Sequence, residues 1–153
     1  MIRARLRRTR DGRWQLRLPA QERDLLRALP AQVSQLIATA DPSARRLFPP
    51  AYADDPEGEE DYRSMVGDQL LESHQGALRV LEETVDATHL DDEQLHAWLG
   101  ALNDLRLVLG TSLDVTEEIA PLPAGDPRAP AMATYAYLSM LQESLVELAS
   151  TLI

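Results

Sequence analysis

Residues 91–110 read DDEQLHAWLGALNDLRLVLG, and the placement of their apolar side chains decides the architecture. At about 100° per residue, Leu95, Trp98, Leu99, Leu102, Leu105 and Leu109 share one helix face, while Leu107 and Val108 fall outside it. A helix that is apolar on nearly every side in its second half is enclosed by other elements, so this segment is expected at the centre of a bundle. Asp91 and Gln94, three residues apart, form a capping pair at its start, and Gly110 marks its expected stop, giving a helix over residues 92–109.

Working outward, residues 62–87 carry a long helical stripe of Val66, Leu70, Leu71, Leu78, Leu81 and Val85. Before it lies a proline-rich, acidic connection over residues 41–61, long for a compact domain and expected to be ordered by Phe48 and Tyr52 or to be functional. Leu25, Leu26, Leu29, Val33, Leu36, Ile37 and Ala40 also recur at helical spacing. Pro30 removes a backbone donor in their middle, which implies a kink or two short helices. Residues 120–130 hold four prolines and read as a loop, and a last helix begins near Pro130. Its 3-4 repeat of Leu138, Leu141, Leu145, Leu148 and Leu152 would suit the core or a homodimer seam.

The first eighteen residues follow a different period. Ile2, Ala4 and Leu6 alternate with Arg3, Arg5 and Arg7, and Trp14, Leu16 and Leu18 alternate with Arg13, Gln15 and Arg17, the pattern of a β-hairpin. A two-residue turn at Asp11-Gly12 would set Leu6 against Arg17 and put the apolar rows on opposite faces. A three-residue loop, Arg10-Asp11-Gly12, with Gly12 left-handed as a bulge, pairs Leu6 with Leu16 and Arg8 with Trp14. The apolar row then covers a helix, and Arg3, Arg5, Arg7, Arg13 and Arg17 form one outward ribbon. The expected fold is mainly α, one domain over residues 1–153, with a hairpin at 1–18 packed on about four to five helices in 20–153.

Composition narrows the chemistry. At 153 residues, 44% hydrophobic and 26% charged, the chain is globular, and its longest uncharged run, residues 129–142, is too short to span a bilayer. No apolar segment follows the basic start as a secretory signal would, so the expected compartment is the cytoplasm. There is no cysteine and no lysine, all fifteen basic residues being arginine. That excludes thiol nucleophiles, disulfides, Schiff-base chemistry and the phosphate-binding lysine of a P-loop within these residues. The net charge of −10 is unevenly spread: residues 1–46 hold eleven arginines against four acids, a net +7, and residues 47–153 hold four arginines against twenty-one acids, a net −17. A basic arm on an acidic body either serves an external anionic partner or neutralises its own body.

Candidate chemical groups are few. Glu93-x-x-His96, with His89 nearby, has the spacing of two metal ligands on one helix turn, but a carboxylate-bridged centre needs a second such motif. His74, near Glu72, sits alone on an apolar stripe and reads as a packed core residue. The run Asp54, Asp55, Glu57, Glu59, Glu60 and Asp61 offers carboxylates for acid-base work or cation binding but lacks calcium-loop spacing, and a solvated helix start accounts for it. No nucleophile elbow or dinucleotide fingerprint is present, so no catalytic residue, metal site or cofactor is assigned. Arg106 lies on the apolar face of the central helix and is expected either to clamp a carboxylate of the 54–61 segment or to snorkel to water. A metal- or carboxylate-dependent enzyme is one alternative to a protein-binding regulator, and direct DNA binding through the arginine ribbon is the other. The acidic body and the lack of an outward aromatic oppose it.

Three stretches carry a family likeness: Arg46-Leu47-Phe48-Pro49-Pro50-Ala51-Tyr52 followed by Asp54-Asp55, then Trp98, and above all residues 102–111, LNDLRLVLGT. Together they resemble the actinobacterial oxidative-stress regulator family AosR, formerly a domain of unknown function, over nearly the whole chain. The resemblance implies a cytoplasmic, non-enzymatic regulator that associates with an alternative sigma factor or another RNA polymerase component. Within the motif Asn103, Asp104 and Arg106 are the candidates for a family role, Arg106 structural and Asp104 on the solvent side. One departure stands out: the family's cysteine-pair redox sensing is impossible in a chain without thiols. Met65, Met132 and Met140 fall in expected helices and read as core packing.

Overall fold

The computed structural model describes residues 5–48, 54–113 and 124–151. Among them the chain runs β1 (Leu6–Arg8), β2 (Trp14–Leu16), α1 (Ala20–Ala28), α2 (Pro30–Ala38), a 3₁₀ helix (Pro42–Leu47), α3 (Pro56–Thr84), β3 (His89–Leu90), α4 (Asp92–Ser112) and α5 (Ala129–Thr151). The fold is mainly α, as the periodicity predicts, with a small antiparallel sheet on its flank.

The hairpin has the deduced register, Leu6 opposite Leu16 and Arg8 opposite Trp14, and Gly12 takes φ +83°, which a side chain rarely adopts. The sheet gains a strand that the sequence reading lacks. Trp14 pairs with Leu90 and Gln15 with His89, in the order β1-β2-β3. Two residues between helices give no period to detect, and their strand geometry comes only from pairing with β2.

Pro30 splits the first helical stretch into two, standing at the start of α2 where its missing N–H costs nothing. Asp41 caps the 3₁₀ helix by accepting from the Ser43 N–H at 2.9 Å. α3 begins at Pro56, six residues before the expected start, because Asp55 caps it from outside, accepting from the Gly58 N–H, and Glu57 and Glu59 sit in its favourable first turn. It ends at Thr84, three residues early.

α4 starts with the expected reciprocal capping of Asp91 and Gln94, but it does not stop at Gly110. It continues to Ser112, and a Cβ on Gly110 would lie 2.9 Å from the Tyr135 ring of α5. That glycine is a point of close helix approach rather than a terminator. The neighbouring Gly100 has open space around it. Gly100→Ala is therefore expected to stabilise by about 1 kcal/mol through helix propensity, and Gly110→Ala to lose that gain to the Tyr135 contact. Urea denaturation of the two variants side by side measures the difference.

The core is one cluster. α4 lies in its middle, in contact with α2, the 3₁₀ helix, α3, β3 and α5. Leu6, Trp14 and Leu16 cover it from the sheet, and Leu138, Leu141 and Leu145 close it from α5. These three leucines are each 0% exposed, so this part of the leucine seam packs within the chain. Leu152 and Tyr52 lie outside the described residues. Of the methionines read as core packing, Met65 is 77% exposed and Met140 41%, a correction: the outer sides of α3 and α5 carry them. Met132 is half-buried. No helix among the described residues is long and apolar enough to cross a membrane.

Candidate functional site

Two assemblies of polar side chains stand out, one on the sheet and one inside the helices. Strand alternation sends Leu6, Trp14 and Leu16 inward, and Arg8, of the same parity but exposed at the strand end, lays its guanidinium 4.7 Å over the Trp14 ring. The Arg8 Nη1 and the Trp14 Nε1 both donate to Asp92 Oδ1 at 2.7 Å, tying the hairpin to the start of α4. Those two hydrogen bonds, Trp14 first, hold the Asp92 carboxyl below its ordinary range.

The opposite parity forms the outward row. Arg7 is exposed. Arg13 is exposed and bonds Asp11 Oδ2 at 2.9 Å, and hydrogen bonds from the Thr9 hydroxyl and then Arg13 lower the Asp11 carboxyl to about 2. Arg17 is half-buried and donates to the Gln15 side chain at 3.1 Å. Arg5 turns away from this row: its Nη2 donates to Glu22 of α1 at 3.3 Å, and its Nε is buried with no acceptor among the described residues. Arg3 lies outside the described residues. The basic arm thus divides. Arg5 and Arg8 are spent on the body, whereas Arg7, Arg13 and Arg17, with exposed Arg10 at the turn, face outward.

Sequence reasoning missed Arg23. Its guanidinium donates to four carbonyls, Leu16, Leu18, Val85 and Ala87, at 2.7 to 3.2 Å, and so fixes the sheet onto the end of α3. An arginine on the inner edge of a short helix gives no periodic signal, because its partners are backbone atoms far along the chain.

The second assembly contains the motif residues. Asp104 is 4% exposed, not on the solvent side. Ala101, Asp104, Val108 and Thr111 form a second buried stripe on α4, which a reading based on leucines overlooks. The Asp104 Oδ2 lies 2.8 Å from Nδ1 of His74 on α3, and His74 Nε2 lies 3.0 Å from the Leu47 carbonyl at the end of the 3₁₀ helix. Phe48 meets the imidazole edge-on, with ring centres 5.5 Å apart. His74 is half-buried at the edge of the core and paired, rather than packed within it. The Asp104 hydrogen bond, opposed by burial, holds its pKa above the ordinary histidine value.

Arg106 is half-buried, part of it open to water, and turns to its own helix. Its Nη2 donates to Asn103 Oδ1 at 2.9 Å, one turn back on α4, while its Nε is buried without an acceptor among the described residues. Of the 54–61 carboxylates, Asp55 caps α3 and Glu57 and Glu59 sit in its first turn. His96 and Glu93 are exposed, and His89 Nδ1 bonds the Thr88 hydroxyl at 2.9 Å. Among the described residues no three histidines or carboxylates are grouped to hold a metal ion.

These features define a helical module whose sheet carries an arginine face and whose motif residue Asp104 is packed inside. The family model described as a domain of unknown function, DUF2017, matches residues 2–149, and the chain belongs to that family. Its curated relatives include the oxidative stress regulator AosR of Mycobacterium tuberculosis (strain ATCC 25618 / H37Rv) and that of Mycobacterium bovis (strain ATCC BAA-935 / AF2122/97). Each is 35% identical over 131 residues, covering 69% of this chain and 57% of the relative. The putative oxidative stress regulator AosR of Mycobacterium leprae (strain TN) is 31% identical over 125 residues with the same coverage. The likeness to AosR is thus borne out, and the chain spans 57% of the length of these relatives. No solved structure matches the chain.

Proposed function

We propose that this chain acts as one regulatory domain of the oxidative-stress response, non-enzymatic and cytoplasmic, and docks a protein partner through the outer face of its hairpin. The names of its relatives support the regulatory role. One observation carries the docking: Arg7, Arg13 and Arg17 share the outward face of a strand pair whose other face is buried, on a chain of net charge −10. A rigid strand pair presents guanidinium groups with little ordering cost, which suits carboxylates on a partner surface. The AosR likeness points to a sigma factor or RNA polymerase component as that partner. With no cysteine among its 153 residues, this chain does not itself provide a thiol switch.

Capture by the tagged protein from an actinobacterial extract, with identification of the bound proteins, tests this reading at two salt concentrations. Recovery of RNA polymerase subunits at low salt, falling several-fold at about 0.3 M as exposed charges are screened, is the expected result. A bound metal, or a nucleic acid retained by the purified protein alone, would favour the enzyme or DNA-binding alternatives.

A further inference from the structure

The end of the 3₁₀ helix is fastened to the body through one imidazole. Both partners of that ring are acceptors: the Leu47 carbonyl has no proton to give, and Asp104 is a carboxylate. Both contacts are hydrogen bonds only when both ring nitrogens carry hydrogen, as in the imidazolium. Among the described residues nothing else nearby substitutes. One turn either way on α3 stand Leu70, Leu71, Ala77 and Leu78. α2 turns Val33 and Ile37 inward, α5 turns Leu138, Leu141 and Leu145 inward, and α4 flanks Asp104 with Ala101, Leu105 and Val108. On α4, Arg106 is engaged with Asn103, and on the 3₁₀ helix Arg45 and Arg46 are exposed. Among the described residues Asp104 is the charged group that acts on the ring.

We propose that His74 is a proton-controlled latch on the Leu47–Phe48 junction, tying the 3₁₀ helix to α3 and α4 when protonated and releasing Leu47 when neutral. The direction of release follows from the two partners. Loss of the Nδ1 proton would leave the Asp104 carboxylate buried without a donor, so the remaining proton stays there. Nε2 then turns a lone pair toward the lone pairs of the Leu47 carbonyl, and attraction becomes repulsion. Phe48 moves with Leu47, and its ring forms one wall of a groove of about 380 Å³ lined also by Ile37, Ala44, Arg45, Gly67 and Leu71. The proton on His74 therefore sets the shape of that groove. The raised His74 pKa keeps the latch closed in acid and opens it as pH rises through the raised value.

Nuclear magnetic resonance of the intact chain tests this through the His74 ring nitrogens and the exchange protection of the Phe48 amide, which bonds the Arg45 carbonyl at 3.2 Å. Above the His74 transition the proton is expected on Nδ1. After correction for intrinsic exchange, protection at Phe48 should fall by about tenfold, with the Leu141 amide of α5 unchanged. In His74→Gln, which cannot titrate, the step at Phe48 should vanish. A neutral ring protonated on Nε2, or Phe48 protection that ignores the His74 titration, would overturn the latch. So would a step that persists in His74→Gln.

Discussion

Asp104→Ala is expected to lower the unfolding free energy by about 3 kcal/mol or more in urea titrations near neutral pH, because it removes one partner of a largely buried charged pair. The carboxylate is 4% exposed and the His74 side chain 21%, so water replaces the lost contact poorly. Asp104→Asn keeps the shape and removes the charge, so its cost is smaller and pH-dependent. The folded His74 pKa is raised, so the pairing stabilises fully below the unfolded histidine value and is lost as pH rises through the folded value. The stability difference between wild type and Asp104→Asn is therefore expected to narrow in that window. The His74 ring proton should also titrate at lower pH in Asp104→Asn than in wild type. A difference that is flat across the window would mean that His74 is neutral in the fold.

Trp98→Ala is expected to cost about 3 to 5 kcal/mol, the range for removing a large aromatic from a packed interior. The indole is 0% exposed in the middle of α4, and its Nε1 donates at 2.7 Å to the Thr84 hydroxyl, which in turn donates to the Val80 carbonyl. The chain Trp98 to Thr84 to Val80 fixes α4 against the end of α3. Trp98→Phe keeps most of the apolar area and loses one hydrogen bond, so about 1 kcal/mol of additional loss beyond packing is expected. Circular dichroism through urea unfolding separates the two variants. Equal losses would show that the hydrogen bond, rather than the burial, dominates at this position.

Much of this fold is legible because short-range patterns carry it. The hairpin register follows from the alternation of Leu6, Trp14, Leu16 and Leu18 with one left-handed glycine, and Pro30 divides α1 from α2 by lacking an N–H. Where the reading failed, the deciding contact was distant in sequence. β3 exists only through Trp14 and Gln15, and Gly110 looks like a stop until Tyr135 is placed beside it. Asp104 looks like a surface residue until His74, thirty positions away, arrives over it. A signal for that pair was present: one polar residue on each of two apolar stripes, in helices that must pack together. The arginine row was legible as a face, but which arginines would be engaged by Glu22 and Asp92 depended on helix positions that strand parity does not set.

The docking reading rests on the outward arginines, whose contacts with Asp11 and Gln15 stay within the hairpin. Arg7, Arg13 and Arg17 replaced together by glutamate should leave the melting temperature within a few degrees, since such surface changes usually cost little. Comparative capture of RNA polymerase subunits by this variant and by wild type is the most direct test of the account. The expected result is recovery by wild type and loss of about tenfold or more by an equally folded variant. Equal recovery by both proteins would contradict it and move the docking surface away from the hairpin.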